Sequence, residues 1–105
     1  MTMIFDYTSD RESREQFVDS AFEEPDGEVE QSVARVIADV LGIDRLGRTD
    51  SFYDFGGTSL AAIKICARLE YEHGWQVQPA WLFITDVITD FARKVQFESA
   101  PAAES

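Results

Sequence analysis

Val29, Val33, Val36, Ile37, Val40 and Leu41 recur at steps of three and four residues. That spacing gathers six apolar side chains on one face of a helix, and such a stripe needs a partner to cover it. Asp26 stands where an N-cap belongs, Glu28 and Glu30 suit the positive end of the helix, and Gly42 ends it. The pattern predicts a helix over 27–41. A second is expected over 59–73, stopped by Gly74, and a short third over 79–84. A last helix starts at Asp86 as its N-cap and turns Ile88, Phe91, Ala92 and Val95 inward. Phe17, Val18, Ala21 and Phe22 can line a weak helix before Pro25, and no stretch alternates as a strand. The expected fold is all-α, a bundle of four helices with a short third one.

Charge divides the chain. Of 105 residues, 9 are basic and 20 acidic, a net charge of −11. Residues 1–30 hold ten of those acids against two bases. Residues 1–25 therefore read as an acidic, largely flexible extension, with 1–24 dispensable for folding; 26–97 as the folded unit; and 98–105 as a flexible tail. The acidity argues against nucleic acid or an anionic membrane as partner. No apolar run reaches the roughly 20 residues of a membrane span. Cys66 is the single cysteine, so no internal disulfide forms, no metal cluster is expected, and a reducing cytoplasmic setting fits.

The second helix is apolar on two sides. At 100° per residue, Ala62, Ile65, Cys66 and Leu69 share one face, and Leu60, Ile63, Ala67 and Tyr71 lie opposite, around Lys64. Burying this helix all round would also bury Lys64, Arg68, Glu70 and Glu72, so one face is assigned to the core and the other to a partner. Ser59 opens the helix behind Gly56 and Gly57, which leave room for an approaching group. A hydroxyl there sits beside unpaired N–H groups and the positive end of the dipole, a setting that suits a phosphate. Taken alone, Thr58 or Ser59 is as readily a simple N-cap.

The longer string Asp50-Ser-Phe-Tyr-Asp-Phe-Gly-Gly-Thr-Ser-Leu60 resembles the attachment motif of peptidyl carrier (thiolation) domains of nonribosomal peptide synthetases, within the acyl-carrier superfamily. Asp50, Phe52, Gly56, Gly57, Ser59 and Leu60 match that motif. Tyr53 and Phe55 are mild replacements, and Thr58 stands where His or Asp is usual. The resemblance extends over about residues 27–97. It implies a four-helix carrier of the acyl-carrier type that is not itself an enzyme; Met1 and the extension suggest a free-standing one, and a monomer is expected. A phosphopantetheinyl transferase would attach the 4'-phosphopantetheine of coenzyme A to Ser59. An adenylation enzyme would load an aminoacyl or peptidyl group as a thioester, and condensation or tailoring enzymes would take it on. Tyr53, Thr58, Leu60, Ile63, Ala67 and Tyr71 are expected to form the surface those partners meet.

Two alternatives stay open. One is a fatty-acid or polyketide-type carrier, against which Gly-Gly before Thr-Ser and the bases Lys64 and Arg68 weigh. The other is a helical interaction domain with no covalent group. A hydrolase elbow is disfavoured, since Ala61 replaces the expected glycine. His73, the sole histidine, lies 14 residues along the helix from Ser59, about 21 Å, too far to serve it as base. A calcium loop from Asp50 would end on Ala61 in place of its closing Glu. His73, Trp75, Trp81, Leu82 and Phe83 read as structural, with part of Trp81 exposed. Cys66 faces the core, and Phe52 and Phe55 pin the loop.

Overall fold

The computed structural model describes residues 11–98. Residues 1–10 of the expected extension and 99–105 of the expected tail lie outside the described residues. Four helices follow in order: α1 (Gly27–Leu41), α2 (Ser59–His73), α3 (Trp81–Ile84) and α4 (Ile88–Glu98). Single 3-10 turns stand at Arg14–Gln16 and Phe52–Phe55. Strand pairing among the described residues is limited to two isolated bridges, Glu12 with Ile43 and Ser51 with Val87.

The helix α1 packs against both α2 and α4. Its Val33, Val36 and Ile37 meet Ile65 and Leu69 of α2, Leu82 of α3, and Ile88 and Phe91 of α4 in one fully buried core. Trp75, Trp81 and Phe83 are half-buried and pack against its edge. A surface network ties α1 to α2. Arg35 and Arg68 each donate to Glu72 at 2.8 Å, and Arg68 also reaches Asp39 at 3.3 Å. Those two guanidinium hydrogen bonds hold the Glu72 carboxyl down at about 2. No helix among the described residues is long and apolar enough to cross a membrane.

Two expected caps are not used. The Asp26 side chain caps nothing; its N–H instead donates to Oε1 of Glu30, four residues on, at 2.9 Å. Asp86 lies two residues before α4, so it does not cap that helix. Its carboxylate accepts the Ser51 hydroxyl, and its carbonyl accepts the Phe52 N–H at 2.7 Å. The open N–H groups at the start of α4 go to loop carbonyls: Ile88 donates to Asp50 at 2.9 Å and Thr89 to Arg48 at 3.0 Å.

The largest departure from the sequence reading is the N-terminal extension. Residues 11–25 form neither a helix through Phe17–Phe22 nor a solvated arm, but a strap laid across the loop between α1 and α2. Glu12 donates to the Gly42 carbonyl and accepts from the Asp44 N–H, both at 2.8 Å. Phe17 packs on Phe55 with ring centroids 5.3 Å apart, and the Arg45 guanidinium lies 3.9 Å over the Phe22 ring. A Cβ on Gly47 would sit 2.7 Å from the Glu23 carbonyl oxygen, so the strap crosses where a side chain is missing. High charge density does not prevent this. Glu12, Glu15, Asp19, Glu23 and Glu24 all stay exposed, and the one fully buried strap side chain is Arg14, paired with buried Asp50.

Candidate functional site

The site is built on a loop whose backbone has few free choices. Ser51 Oγ accepts the Tyr53 N–H at 3.1 Å and starts the 3-10 turn of Phe52–Phe55. Gly56 ends that turn at φ +86°, a backbone that favours glycine. Gly57 answers a different need. A Cβ there would lie 2.4–2.5 Å from ring carbons of fully buried Phe52. The sequence reading gave both glycines to an approaching ligand; the structure gives Gly57 to the Phe52 ring. Gly57→Ala should therefore lose about 1–3 kcal/mol through overpacking. Thermal unfolding checks this, and an unchanged midpoint would show that Phe52 can move aside.

Thr58, extended at φ −128°, is the N-cap of α2, and its Oγ1 accepts the Ala61 N–H at 3.1 Å. This resolves which hydroxyl caps the helix. Ser59 is exposed, and no group among the described residues takes its hydroxyl. The first turn of α2 carries no acid. An oxygen anion at Ser59 would thus meet free N–H groups and the positive end of the helix without a competing carboxylate. A cleft of about 260 Å³ opens beside it, lined by Val40, Leu41, Phe55, Thr58, Leu60 and Lys64 among others. A larger cavity of about 380 Å³ lies between strap and α1, with no lining residue from 47 onward. Ser59 itself lines neither cavity; only its neighbours Thr58 and Leu60 line the smaller one.

The outer face of α2 is exposed. Leu60, Ile63 and Tyr71 are 61%, 53% and 91% exposed, and Thr58 and Ala67 are exposed beside them. Tyr53 is also exposed; its hydroxyl donates to the Phe83 carbonyl at 3.2 Å and its ring packs on Phe83. The opposite face, Ala62, Ile65, Cys66 and Leu69, is buried. Ile84, at the end of α3, is a further large apolar side chain left 69% exposed, which the sequence reading did not single out. Its four-residue helix is too short to show periodicity, and only its place beside Phe83 points to it. Phe17 was also missed as a neighbour of this loop, since its contact with Phe55 spans the chain between strap and loop.

Other candidates fall into structural roles. Burial pushes the Cys66 thiol up to about 11, so it stays a protonated core group. His73 stacks on Trp75 with ring centroids 4.0 Å apart, at the far end of α2 from Ser59. No group of three or more His, Cys, Asp or Glu among the described residues could hold a metal ion.

Comparison with known proteins bears on this geometry. The family model described as "phosphopantetheine attachment site" matches residues 31–95. The chain is 35% identical over 79 residues to malpibaldin synthetase of Mortierella alpina, covering 75% of this chain and 1% of that protein. It spans only about 1–2% of the length of such synthetases. A solved nonribosomal PCP domain is 31% identical with a TM-score of 0.62, covering 68% of this chain and 91% of the other. A peptidyl carrier protein solved with the phosphopantetheine transferase Sfp and coenzyme A is 28% identical, with a TM-score of 0.65, covering 70% and 96%.

Proposed function

The chain belongs to the phosphopantetheine-attachment family, as a peptidyl carrier domain of the nonribosomal peptide type, and we propose that its Ser59 is the residue to which 4'-phosphopantetheine is attached. The observation that carries this reading is the exposed Ser59 hydroxyl, left free because Thr58 does the capping. Its oxygen would attack the pyrophosphate of coenzyme A, forming a phosphodiester and releasing adenosine 3',5'-bisphosphate, with the hydroxyl proton passing to the transferase or solvent. The N–H groups of the first turn of α2 offer hydrogen bonds to the new phosphodiester, and no acid stands in that turn to oppose it.

When bound, the group supplies a long flexible arm ending in a thiol that holds an acyl chain as a thioester. The chain itself contributes the anchor and the surface that brings enzymes to it, and is no enzyme in this reading. Tethering raises the local concentration of one substrate at successive active sites. The partners proposed are a phosphopantetheinyl transferase, an adenylation enzyme and a condensation or tailoring enzyme, all meeting a monomer in the cytoplasm. A solved carrier complex with Sfp and coenzyme A supports the first. Lys64 and Arg68 on α2, where the fatty-acid type is acidic, support the peptidyl over the fatty-acid reading.

Intact-mass measurement after incubation with coenzyme A and a broad-specificity transferase tests the attachment. One added phosphopantetheine is expected, and no mass gain would leave the non-covalent interaction domain as the better reading. The partner face has its own test. Ile63→Asp should leave the helical circular dichroism intact, because Ile63 is half exposed. Aminoacylation by an adenylation enzyme should slow about tenfold, the loss of roughly 1.4 kcal/mol at an interface anchor. Unfolding of the variant would mean that Ile63 is core; full activity would remove it from the interface.

A further inference from the structure

The strap and the acceptor loop meet at one buried ion pair. Arg14 Nε donates to Asp50 Oδ2 at 2.6 Å, and Nη2 to Oδ1 at 2.9 Å. Both side chains are almost wholly buried. Nη2 also reaches the Ala21 carbonyl and Ser20 Oγ, both at 3.3 Å, so the fork is fixed from the strap side too. Asp50 in turn organises the loop that it opens. Its Oδ2 accepts the Gly47 N–H at 2.7 Å, and its carbonyl accepts the Ile88 N–H at 2.9 Å. Two residues on, Phe52 donates to Asp86 and lays its ring against Gly57. Gly57 leads directly to Thr58 and Ser59.

This chain of contacts matters because Gly56 and Gly57, just before the serine, give the backbone wide freedom. Side chains must therefore set the path of the loop. Buried Phe52 and Phe55 hold its middle, and Asp50 holds its start. Arg14 is what keeps the Asp50 carboxylate in a buried, doubly bonded geometry, and Phe17 of the same strap rests on Phe55. A guanidinium suits this task better than an ammonium, since two parallel N–H groups fix the orientation of a carboxylate as well as its charge.

We infer that Arg14 is a positioning residue for phosphopantetheine transfer: acting through Asp50 and the 50–57 loop, it sets where the Ser59 hydroxyl stands when the transferase has bound. This rests on Ser59 being the acceptor. The apolar face of α2 that the transferase would meet lies outside these contacts, so the effect falls on the chemical step and leaves docking alone. Misplacement of a nucleophile by about 1 Å can slow a reaction by a hundredfold.

The test uses the full chain, coenzyme A and a broad-specificity transferase, at a temperature where circular dichroism shows each variant folded. Arg14→Lys keeps the charge and loses the fork. The double variant Arg14→Gln, Asp50→Asn removes both charges, leaving neither buried alone. In each, kcat for modification should fall about tenfold with KM within about twofold of the parent. A kcat within about twofold of the parent in either folded variant overturns the inference, as does a loss confined to KM. Failure of both variants to fold also overturns it, because the pair would then serve the fold alone. Peptide mapping of the modified parent keeps the two readings apart. A label on a residue other than Ser59 defeats the acceptor assignment; a label on Ser59 with unchanged variant rates defeats only the role of Arg14.

Discussion

Ser59→Ala should give a folded protein that takes up no phosphopantetheine at all. The N-cap of α2 is Thr58, whose Oγ1 keeps its bond to the Ala61 N–H in the variant. The loss of stability should thus stay within about 0.5 kcal/mol, the range of an ordinary surface substitution, below the ~1 kcal/mol expected from removing a cap. Neighbouring hydroxyls are poor substitutes. Thr58 Oγ1 is engaged in capping, and Ser51 Oγ donates to Asp86 while accepting the Tyr53 N–H. Intact mass after incubation with coenzyme A and transferase reads the result. Any label that persists in the alanine variant moves the attachment point elsewhere.

Arg14→Ala should be among the most damaging single changes to stability. It leaves the Asp50 carboxylate buried beneath the strap with the Gly47 N–H as its remaining side-chain partner. Breaking one side of a buried pair costs about 3–5 kcal/mol, a large part of the ~5–15 kcal/mol that holds a domain of this kind. At roughly 4–8 °C per kcal/mol, the melting temperature should drop by more than about 12 °C. A shift under about 3 °C would mean that water reaches Asp50 and that the strap holds loosely. The sequence reading, in which residues 1–24 are dispensable, expects no shift.

The bodies of α1 and α2 were legible because their information is local. A stripe at steps of three and four and the stops at Gly42 and Gly74 act within a turn or two of the chain. The two faces of α2 were legible for the same reason, since helical geometry alone puts Leu69 opposite Tyr71, one buried and the other 91% exposed. Caps were less legible. Asp26 and Asp86 both look like N-caps in sequence, yet a cap is used only where the first N–H groups lack another partner. Loop carbonyls serve the first N–H groups of α4, leaving Asp86 nothing to cap there, while the Asp26 side chain meets no N–H of the first turn of α1.

By itself, the amino-acid order determined that the chain is a small helical bundle, that α2 has a core side and an outer side, and that Ser59 begins it behind two glycines. Each of these follows from spacing within a few residues. Tertiary structure alone decided that Arg14 is buried, that Gly57 yields its space to Phe52, and that residues 11–25 strap the loop leading to α2. Arg14 and Asp50 lie 36 residues apart, and an ion pair across that distance leaves no periodicity in the chain between them. Whether a charged segment is solvated or packed depends on the partner that folding brings to it, and that partner is set by the path of the whole chain.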